Sequence, residues 1–316
     1  MYRAIGRRLQ VSREVDHALR QGMPIVALET TVLSHGLPTS TALEVAERMI
    51  KAVRQAGAVP AFIGLIDGKV IVGIEPSHLP LWIHRSREVI KCGVRDVAVV
   101  LQSRGIGATT VATTVLFAAQ AGIAVVATGG IGGVHRQVEH SWDISSDLVE
   151  LARNRVAVVC SGPKVILDLP KTREYLETMG VAVYGWRTEA FPGFYVRDTG
   201  LEVDERFDDF ESLSRAIGLH FEVVHRSAVL VVNPVPRSHA LDARIVNQWV
   251  EEAERHASLK GIQGKDLTPF ILEYIHRRSE GKTVASNIAL LLDNATLAAR
   301  LAVAYRKVQL MSGGSR

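Results

Sequence analysis

Short apolar runs alternate along the chain with longer segments in which apolar residues recur at helical spacing. The runs are rich in β-branched residues and end at Gly, Pro, Asn or Asp, a pattern typical of buried strands. Strands are predicted over residues 24–32, 59–66, 70–74, 96–101, 123–128, 156–160, 181–186, 194–196 and 228–233. Asp67-Gly68-Lys69 separates the second and third of these strands and predicts a β-hairpin.

Helices are predicted between the strands. Thr41 and Glu44 have the spacing of a capping box, and Gly57 closes the helix that they begin. Further helices are predicted from the loop 105–110 to Gly122, over 145–153, from Lys164 with an interruption at Pro170, over 210–225, and beyond Asp242. The alternation favours an α/β protein with a mostly parallel sheet, and the lack of a Pro/Gly/Ser-rich linker predicts one domain over residues 1–316.

Composition narrows the class of protein. The chain has 316 residues, of which 47% are hydrophobic and 22% charged, and this excludes a disordered chain and a fibrous repeat. Its 37 Lys and Arg residues exceed its 33 Asp and Glu residues, for a net charge of +4. The basic residues form no long run. A phosphorylated small molecule therefore suits this charge as well as a nucleic acid does.

Three features predict a cytoplasmic protein. The two cysteines, Cys92 and Cys160, form no CxxC pair and no disulfide framework, which fits a reducing compartment. The longest apolar stretches, such as 123–127 and 228–232, are far shorter than the ~20 residues that a membrane-spanning helix needs. The first twenty residues are polar, unlike a signal peptide.

Glycine-rich loops follow two of the predicted strands, at 105–110 and 128–135. In a parallel α/β sheet the chemistry lies in such loops at the carboxyl ends of strands. Glycine lets backbone N–H groups approach a phosphate, but it also serves turns that bind nothing. The spacing matches neither a P-loop nor a dinucleotide fingerprint, so both interpretations stay open.

Two ionisable residues lie where chemistry is expected. Lys164 follows an apolar strand at the predicted start of a helix, where the helix dipole and partial burial favour a neutral amine that can form an imine. The alternative is a surface lysine. Glu29 lies inside an apolar strand, where burial suits it to general acid catalysis. The alternative is a buried ion pair, with Lys91 as one partner.

Other polar residues have two interpretations each. Asp143 and Asp147 are four residues apart and could bind a hard divalent cation, or they could cap a helix. His135, after a glycine-rich loop, is either a ligand contact or an ordinary loop histidine. Ser286 and Asn287 lie in an apolar helix, either as satisfied core groups or to recognise a base edge.

The chain resembles the pseudouridine-5′-phosphate glycosidases, also called pseudouridylate synthases or indigoidine-synthase-A-like proteins. The similarity extends from about residue 12 to about residue 305. Its motifs lie at 27–31, 34–36, 107–111, 127–136, 143–148, 164–168, 232–234, 264–265, 268–270 and 286–290. Several long motifs in the same order make the resemblance specific.

The resemblance implies a lyase that reversibly cleaves the C–C glycosidic bond of pseudouridine 5′-phosphate into uracil and ribose 5-phosphate. It implies a three-layer α/β/α fold with a mixed, mostly parallel sheet, and a homotrimer. In this family a lysine forms an imine with the open-ring sugar and a glutamate acts as acid or base at the uracil; Lys164 and Glu29 occupy these positions.

The remaining implied roles concern binding. Thr128 and Ser145 match phosphate-site positions, His135 and Asn287 match positions near the uracil, and Lys91 and Val111 match further substrate contacts. Asp147 matches a carboxylate that holds one Mn²⁺ per subunit together with waters. The implied partner is thus a small molecule, with neither a nucleic acid polymer nor a membrane involved.

The chain departs from the family pattern at several positions, with Gly93 and Val94 after Lys91, Ile106 before Gly107, and Pro163 before Lys164. Two alternative functions stay open. Another Schiff-base lyase acting on a sugar phosphate would keep Lys164 without needing residues around a uracil. A non-catalytic nucleotide- or sugar-phosphate-binding protein would be expected to lose Lys164 or Glu29, and both are present.

Overall fold

A computed structural model of the chain describes residues 8–262 and 267–313. The predicted family motif at 264–265 lies outside the described residues. Eleven strands are present in the described part: β1 (Leu9–Val11), β2 (Ile25–Glu29), β3 (Val59–Ile66), β4 (Lys69–Val72), β5 (Ile90–Cys92), β6 (Gly107–Thr109), β7 (Val125–Ala127), β8 (Ala157–Cys160), β9 (Ala182–Trp186), β10 (Glu205–Phe207) and β11 (Val229–Val232).

Thirteen α-helices accompany the strands in the same described residues. They are α1 (Arg13–Gln21), α2 (Thr31–His35), α3 (Thr39–Gln55), α4 (Pro80–His84), α5 (Val97–Ser103), α6 (Val111–Ala121), α7 (Val138–Ser141), α8 (Ser146–Arg153), α9 (Leu169–Thr178), α10 (Phe210–Val223), α11 (Ala243–Leu259), α12 (Leu267–Arg278) and α13 (Lys282–Gly313).

All eleven strands belong to one mixed sheet. Its main path runs β1-β4-β3-β2-β7-β8-β11-β9-β10, and β6 pairs with β3 and β5 beside that path. Only the β3–β4 and β3–β6 pairs among these are antiparallel. The β3–β4 pair is the predicted hairpin, and its turn residues Asp67 and Gly68 both have positive φ, as a tight turn between twisted strands requires. The mostly parallel sheet predicted from the alternation is confirmed.

Two hydrophobic cores lie on opposite faces of the sheet. Along β2, Val26 and Leu28 belong to one core, whereas Ile25 and Ala27 belong to the other. This alternation follows from the two-residue period of a strand whose faces are both covered by helices. The first core includes side chains of α3, α10 and α13, and the second includes side chains of α1, α6 and α8. The three-layer α/β/α architecture is therefore confirmed.

Helix α13 is long and apolar enough to cross a membrane by length and composition, with a mean hydropathy of 1.4 over its most apolar window. The expectation drawn from the sequence considered only uninterrupted apolar stretches, and so it did not identify this helix. Its residues Leu290, Leu291 and Ala298 are buried against the rest of the fold, and it packs on α3, α10 and three central strands. These contacts are those of a helix in the protein core, and a buried core helix can be as long and as apolar as a membrane-spanning one.

Four local predictions were wrong. The apolar run 96–101 falls mostly in helix α5 rather than in a strand, and 194–196 is a loop with one isolated bridge. Pro38, not a capping box, precedes α3, and no side chain caps that helix. No helix begins at Lys164, because α9 starts at Leu169 with Pro170 in its first turn, so the helix-dipole argument does not apply to Lys164.

Candidate active site

Four neighbouring parallel strands, β2, β7, β8 and β11, end on the same side of the sheet. Glu29 is the last residue of β2, and Thr128, Ser161 and Asn233 directly follow the other three strands. Because carboxyl ends of parallel strands converge at one edge, polar groups distant in sequence meet there. This edge of the sheet is the candidate active site.

Glu29 is a buried carboxyl group with an unusual proton affinity. Its side chain is only 8% exposed, and its Oε1 accepts a hydrogen bond from the Thr128 hydroxyl. Burial raises the pKa of Glu29 to about 7, although the positive charge of Lys164 and the Thr128 hydroxyl oppose this rise. A carboxyl group that titrates near neutral pH can both give and take a proton.

Two lysines share the electrostatic environment of Glu29. Lys91, on β5, reaches the site because β5 pairs with β6 beside β3. Burial and the positive charge of Lys164 lower the pKa of Lys91. Lys164 is partly buried in an irregular segment after β8, and its backbone N–H donates to Ile131 O at 3.1 Å. The predicted partners Glu29, Lys91 and Lys164 are thus brought together.

Asp147 serves as a clamp between the loop 129–133 and the start of helix α6. Its Oδ1 accepts from the backbone N–H of Ala112, and its Oδ2 accepts from that of Gly132, both at 2.8 Å. The side chain is only 6% exposed. Charge-assisted hydrogen bonds of this kind hold a loop and a helix start in fixed positions. The electrostatic influence of Asp147 on Glu29 places the clamp next to the acid.

Asp143 has a different environment. Its side chain is 49% exposed, and its Oδ2 lies 3.9 Å from Nδ1 of His135. Burial lowers the pKa of His135. The negative charge of Asp143 opposes this shift, whereas the positive charges of Lys164 and Lys91 lower the pKa further. His135 therefore lies within electrostatic reach of both lysines. The two aspartates that the sequence pairs together do not share a role, since one is enclosed and the other is open to solvent.

Ser145 and Val111 begin the two helices that flank the clamp. The Ser145 hydroxyl caps α8 by accepting from the Asp147 N–H at 3.2 Å. Val111 is the first residue of α6 and its side chain is buried in the core. Any contact of Val111 with a ligand must therefore come from its backbone.

Asn287 has an unsatisfied acceptor. Its Nδ2 donates to Gly36 O at 3.1 Å, but its buried Oδ1 finds no hydrogen-bond partner within the described part of the chain. Buried polar atoms are nearly always paired. An unpaired amide oxygen in a site is available to a donor on a ligand. The interpretation of Asn287 as a fully satisfied core amide is not supported.

The glycines of the loop 129–133 are explained by close packing. A Cβ on Gly130 would lie 2.5 Å from the Phe194 ring, one on Gly132 would lie 2.2 Å from Ser145 Oγ, and one on Gly133 would lie 2.4 Å from Thr172 Oγ1. Each approach is too short for a side chain. These glycines allow neighbouring segments to pack closely. Of the two interpretations that the sequence left open, phosphate binding and a purely structural role, these contacts support the structural one.

Sequence reasoning missed a buried amide network beneath the site. Asn294 lies on α13, two turns after Asn287 and fully buried. It contacts the loops that follow β7 and β8 and the side chain of Asn233 after β11. A second amide in the same apolar helix as Asn287 was the signal that could have found it. His35, whose pKa is lowered by burial and by Lys91, was also missed as a neighbour of the site.

Two adjoining cavities lie elsewhere, beside strands β1 and β4 at one edge of the sheet. Their volumes are ≈ 560 and ≈ 490 Å³, and both are lined by Ser12, Arg13 and Glu75. They contain none of the predicted site residues. The titratable groups and the unpaired amide, rather than cavity volume, therefore locate the candidate site.

Known proteins are similar to this chain over nearly its whole length. A family profile described as "Indigoidine synthase A like protein" matches residues 14–304. The chain belongs to this family.

Several relatives share a name. A pseudouridine-5′-phosphate glycosidase of Sorangium cellulosum is 49% identical over 95% of this chain and 94% of its own. One of Caldanaerobacter subterraneus subsp. tengcongensis is 45% identical over 96% and 99%.

Two solved structures share the fold. A prealnumycin C-glycosynthase in complex with ribulose 5-phosphate has a TM-score of 0.91 and 38% identity, over 96% of this chain and 99% of its own. An indigoidine synthase A-like protein of Thermotoga maritima has a TM-score of 0.85 and 32% identity, over 95% and 97%. Both support the predicted fold class.

Proposed function

We propose that the protein cleaves pseudouridine 5′-phosphate reversibly into uracil and ribose 5-phosphate. The observation that carries this proposal is that Glu29, a buried acid with a pKa of about 7, lies close to two lysines at the ends of the central strands. The glycosidases named above support the choice of substrate. A C–C bond has no oxygen leaving group, so protonation of a glycosidic oxygen, as in ordinary glycosidases, cannot break it.

We assign the covalent step to Lys164. Its amine attacks C1′ of the sugar and displaces the ring oxygen, which takes a proton. Glu29 then protonates the base carbon bonded to C1′. The C–C bond breaks with its electrons passing to the base, while the lysine nitrogen forms an imine with C1′. Water hydrolyses the imine, so one water is consumed overall and Lys164 is regenerated. Lys91, with its lowered pKa, suits proton transfer to and from these groups.

The base and the phosphate are assigned to different residues around this centre. The unpaired Oδ1 of Asn287 is an acceptor for an N–H of uracil, and His135 lies near the lysines that act on the sugar. Lys91, Ser145 and the backbone at Val111 form the phosphate side. Thr128 was predicted to contact the phosphate, but its hydroxyl is used by Glu29, so we assign it to positioning the acid.

The clamp geometry bears on the Mn²⁺ prediction. A cation that keeps most of its waters needs a carboxylate open to solvent. Asp147 fits this poorly because it is enclosed and each of its oxygens accepts a backbone N–H. Asp143 fits better, with a half-exposed carboxylate beside His135. We therefore propose Asp143, with waters, as the Mn²⁺ ligand; a cation there would supply positive charge towards the phosphorylated sugar.

Binding of Mn²⁺ can be measured directly by electron paramagnetic resonance. Asp143→Asn should weaken Mn²⁺ binding at least tenfold, whereas Asp147→Asn should leave the affinity of folded protein near the wild-type value. The reverse pattern would restore Asp147 as the ligand.

Turnover tests the main proposal. Purified protein incubated with Mn²⁺ and pseudouridine 5′-phosphate should release uracil, and unphosphorylated pseudouridine should be a much poorer substrate because phosphate binding helps organise the reacting centre. Borohydride reduction with ribose 5-phosphate should trap an adduct that peptide mapping assigns to Lys164. Lys164→Ala should lose both turnover and adduct, while Lys171→Ala, an exposed lysine on α9, should lose neither. An adduct on Lys91 instead would contradict the assignment.

The similarity to a C-glycosynthase favours a second candidate function, the joining of a sugar phosphate to another acceptor through a C–C bond. Release of uracil from pseudouridine 5′-phosphate separates the two functions. A homotrimer and a cytoplasmic location remain proposals; light scattering of the purified protein tests the trimer.

A further inference from the structure

A single buried amide joins the ends of the central strands. The Nδ2 of Asn294 lies 2.9 Å from Thr128 O and 3.1 Å from Ser161 Oγ, with Gly129 O at 3.5 Å. Because carbonyl oxygens only accept hydrogen bonds, these partners fix which end of the amide faces the loops. Asn294 thus contacts the chain directly after β7 and directly after β8.

The other end of the amide is also fixed. Its Oδ1 accepts from Asn233 Nδ2 at 3.0 Å, and the same nitrogen donates to Asp293 Oδ2 at 2.8 Å. Asn233 follows β11, and its own N–H donates to Cys160 O at 2.8 Å. The network therefore spans the ends of three adjacent strands, and Asn294 has no freedom to rotate without losing several hydrogen bonds.

One of the two loops that Asn294 contacts carries Lys164, and the other carries Thr128, the residue that holds Glu29. Thr128 holds Glu29 through its hydroxyl, and Ser161 precedes Lys164 by three residues. Backbone hydrogen bonds continue the pairing of the loops, from Ser161 N to Gly129 O at 2.9 Å and from Lys164 N to Ile131 O at 3.1 Å. Asn294 lies where these paired loops leave the sheet.

We propose that Asn294 is a positioning residue that sets the distance between the acid pair Glu29–Thr128 and the segment bearing Lys164. This inference rests on the proposed function. A shift of about 1 Å between a nucleophile and an acid can lower a rate by about 100-fold. The shape of the side chain alone does not perform this role, because the N–H groups of Nδ2 make the contacts with the two loops.

The test compares two variants of α13. Asn294→Asp keeps the shape and removes the donors; Leu297→Ala removes buried apolar packing one turn later and leaves the network intact. Asn294→Asp should lower kcat by about 10- to 100-fold, change KM less than threefold, and shift the pH profile of turnover. Leu297→Ala should lower thermal stability without moving the pH profile.

Amide hydrogen exchange provides a readout that does not depend on activity. In Asn294→Asp, exchange should accelerate in both segments 128–134 and 161–166, and in Leu297→Ala it should not accelerate there selectively. Unchanged exchange in these segments, or a kcat and pH profile like those of Leu297→Ala, would overturn the proposal.

A milder variant covers the case in which Asn294→Asp does not fold. Ser161→Ala removes one of the acceptors of Asn294 and should produce smaller changes of the same sign in exchange and kcat; wild-type values in both would overturn the proposal. Absence of uracil release by the wild-type protein would refute the proposed function instead, so the two failures are distinguishable.

Discussion

Two carboxyl groups are buried close together in this protein, but their hydrogen-bond partners differ. Glu29, at the end of β2, accepts a hydrogen bond from one hydroxyl and lies in a desolvated place beside Lys164. Asp147, at the start of α8, accepts hydrogen bonds from two backbone N–H groups, one at the start of α6 and one in the loop 129–133. Both side chains are less than 9% exposed. Burial alone therefore does not decide what a carboxyl group does.

The number of fixed donors makes the difference. Backbone N–H groups favour the charged form of a carboxylate and cannot move away, so a carboxylate that they enclose holds structure together. A buried carboxyl group with few donors has a raised pKa, because burial disfavours its charged form, and it can exchange a proton near neutral pH. The comparison predicts that Glu29 takes part in catalysis and that Asp147 stabilises the fold. Each of these two predictions can be tested by experiment.

The largest expected effect is on turnover. Glu29→Gln removes the proton donor while keeping the shape, and it should lower kcat by about 10²–10⁴-fold because general acid–base catalysis contributes about that much. Glu150 is a buried glutamate on α8 that bonds Asn154 instead of a reacting group. Glu150→Gln is the matched control and should retain most of the activity in the uracil-release assay. Equal losses in the two variants would remove Glu29 from the chemistry.

The next effect is on stability. Asp147→Asn places an amide donor against a backbone N–H, and loss of two charge-assisted hydrogen bonds should lower the free energy of unfolding by about 3–5 kcal/mol. Asp242 also accepts two backbone N–H groups, at the start of α11, but it is half exposed. Asp242→Asn should cost about 1 kcal/mol or less. Denaturant unfolding measures both, and equal values would mean that the clamp is not special.

The difference between these carboxyl groups lay largely beyond the sequence. Strand and helix order, the mixed sheet and the convergence of Glu29 with Lys164 follow from apolar patterning and from motifs that the family shares. The partners of Asp147 come from positions 15 and 35 residues away, and no local pattern encodes such a contact. The spacing of four residues grouped Asp143 with Asp147. In the structure, however, Asp143 is half exposed and Asp147 is buried.

Other local errors have the same origin. The run 96–101 is β-branched enough for a strand, but tertiary contacts place it in α5 on one face of the sheet. Lys164 was placed at a helix start because Pro163 suits that position, whereas the chain first pairs with the loop at Ile131. Propensity is overridden where long-range pairing is stronger.

A smaller effect is the pH dependence of stability. The pKa of Glu29 is raised from 4.5 to about 7, so between these values the native state holds a proton that the unfolded state has lost. Stability therefore falls as pH rises through this window, by about 3 kcal/mol for this group. Glu29→Gln lacks the titration. Its stability relative to wild type should increase by that amount from pH 4.5 to pH 8 in denaturant unfolding; a constant difference would contradict the raised pKa.

The smallest effect isolates the one hydroxyl that opposes the raised pKa. Thr128→Val keeps the shape and removes the donor to Glu29, and because that hydrogen bond favours the charged carboxylate, its loss should raise the pKa of Glu29 further. A hydrogen bond to a charged group contributes about 1.5 kcal/mol, so the apparent pKa in the pH profile of turnover should move up by about one unit. Thr114→Val is the control, since the buried Thr114 hydroxyl donates to Thr109 rather than to an acid. A shift to lower pH in Thr128→Val, or an equal shift in Thr114→Val, would mean that Thr128 does not set the proton affinity of Glu29.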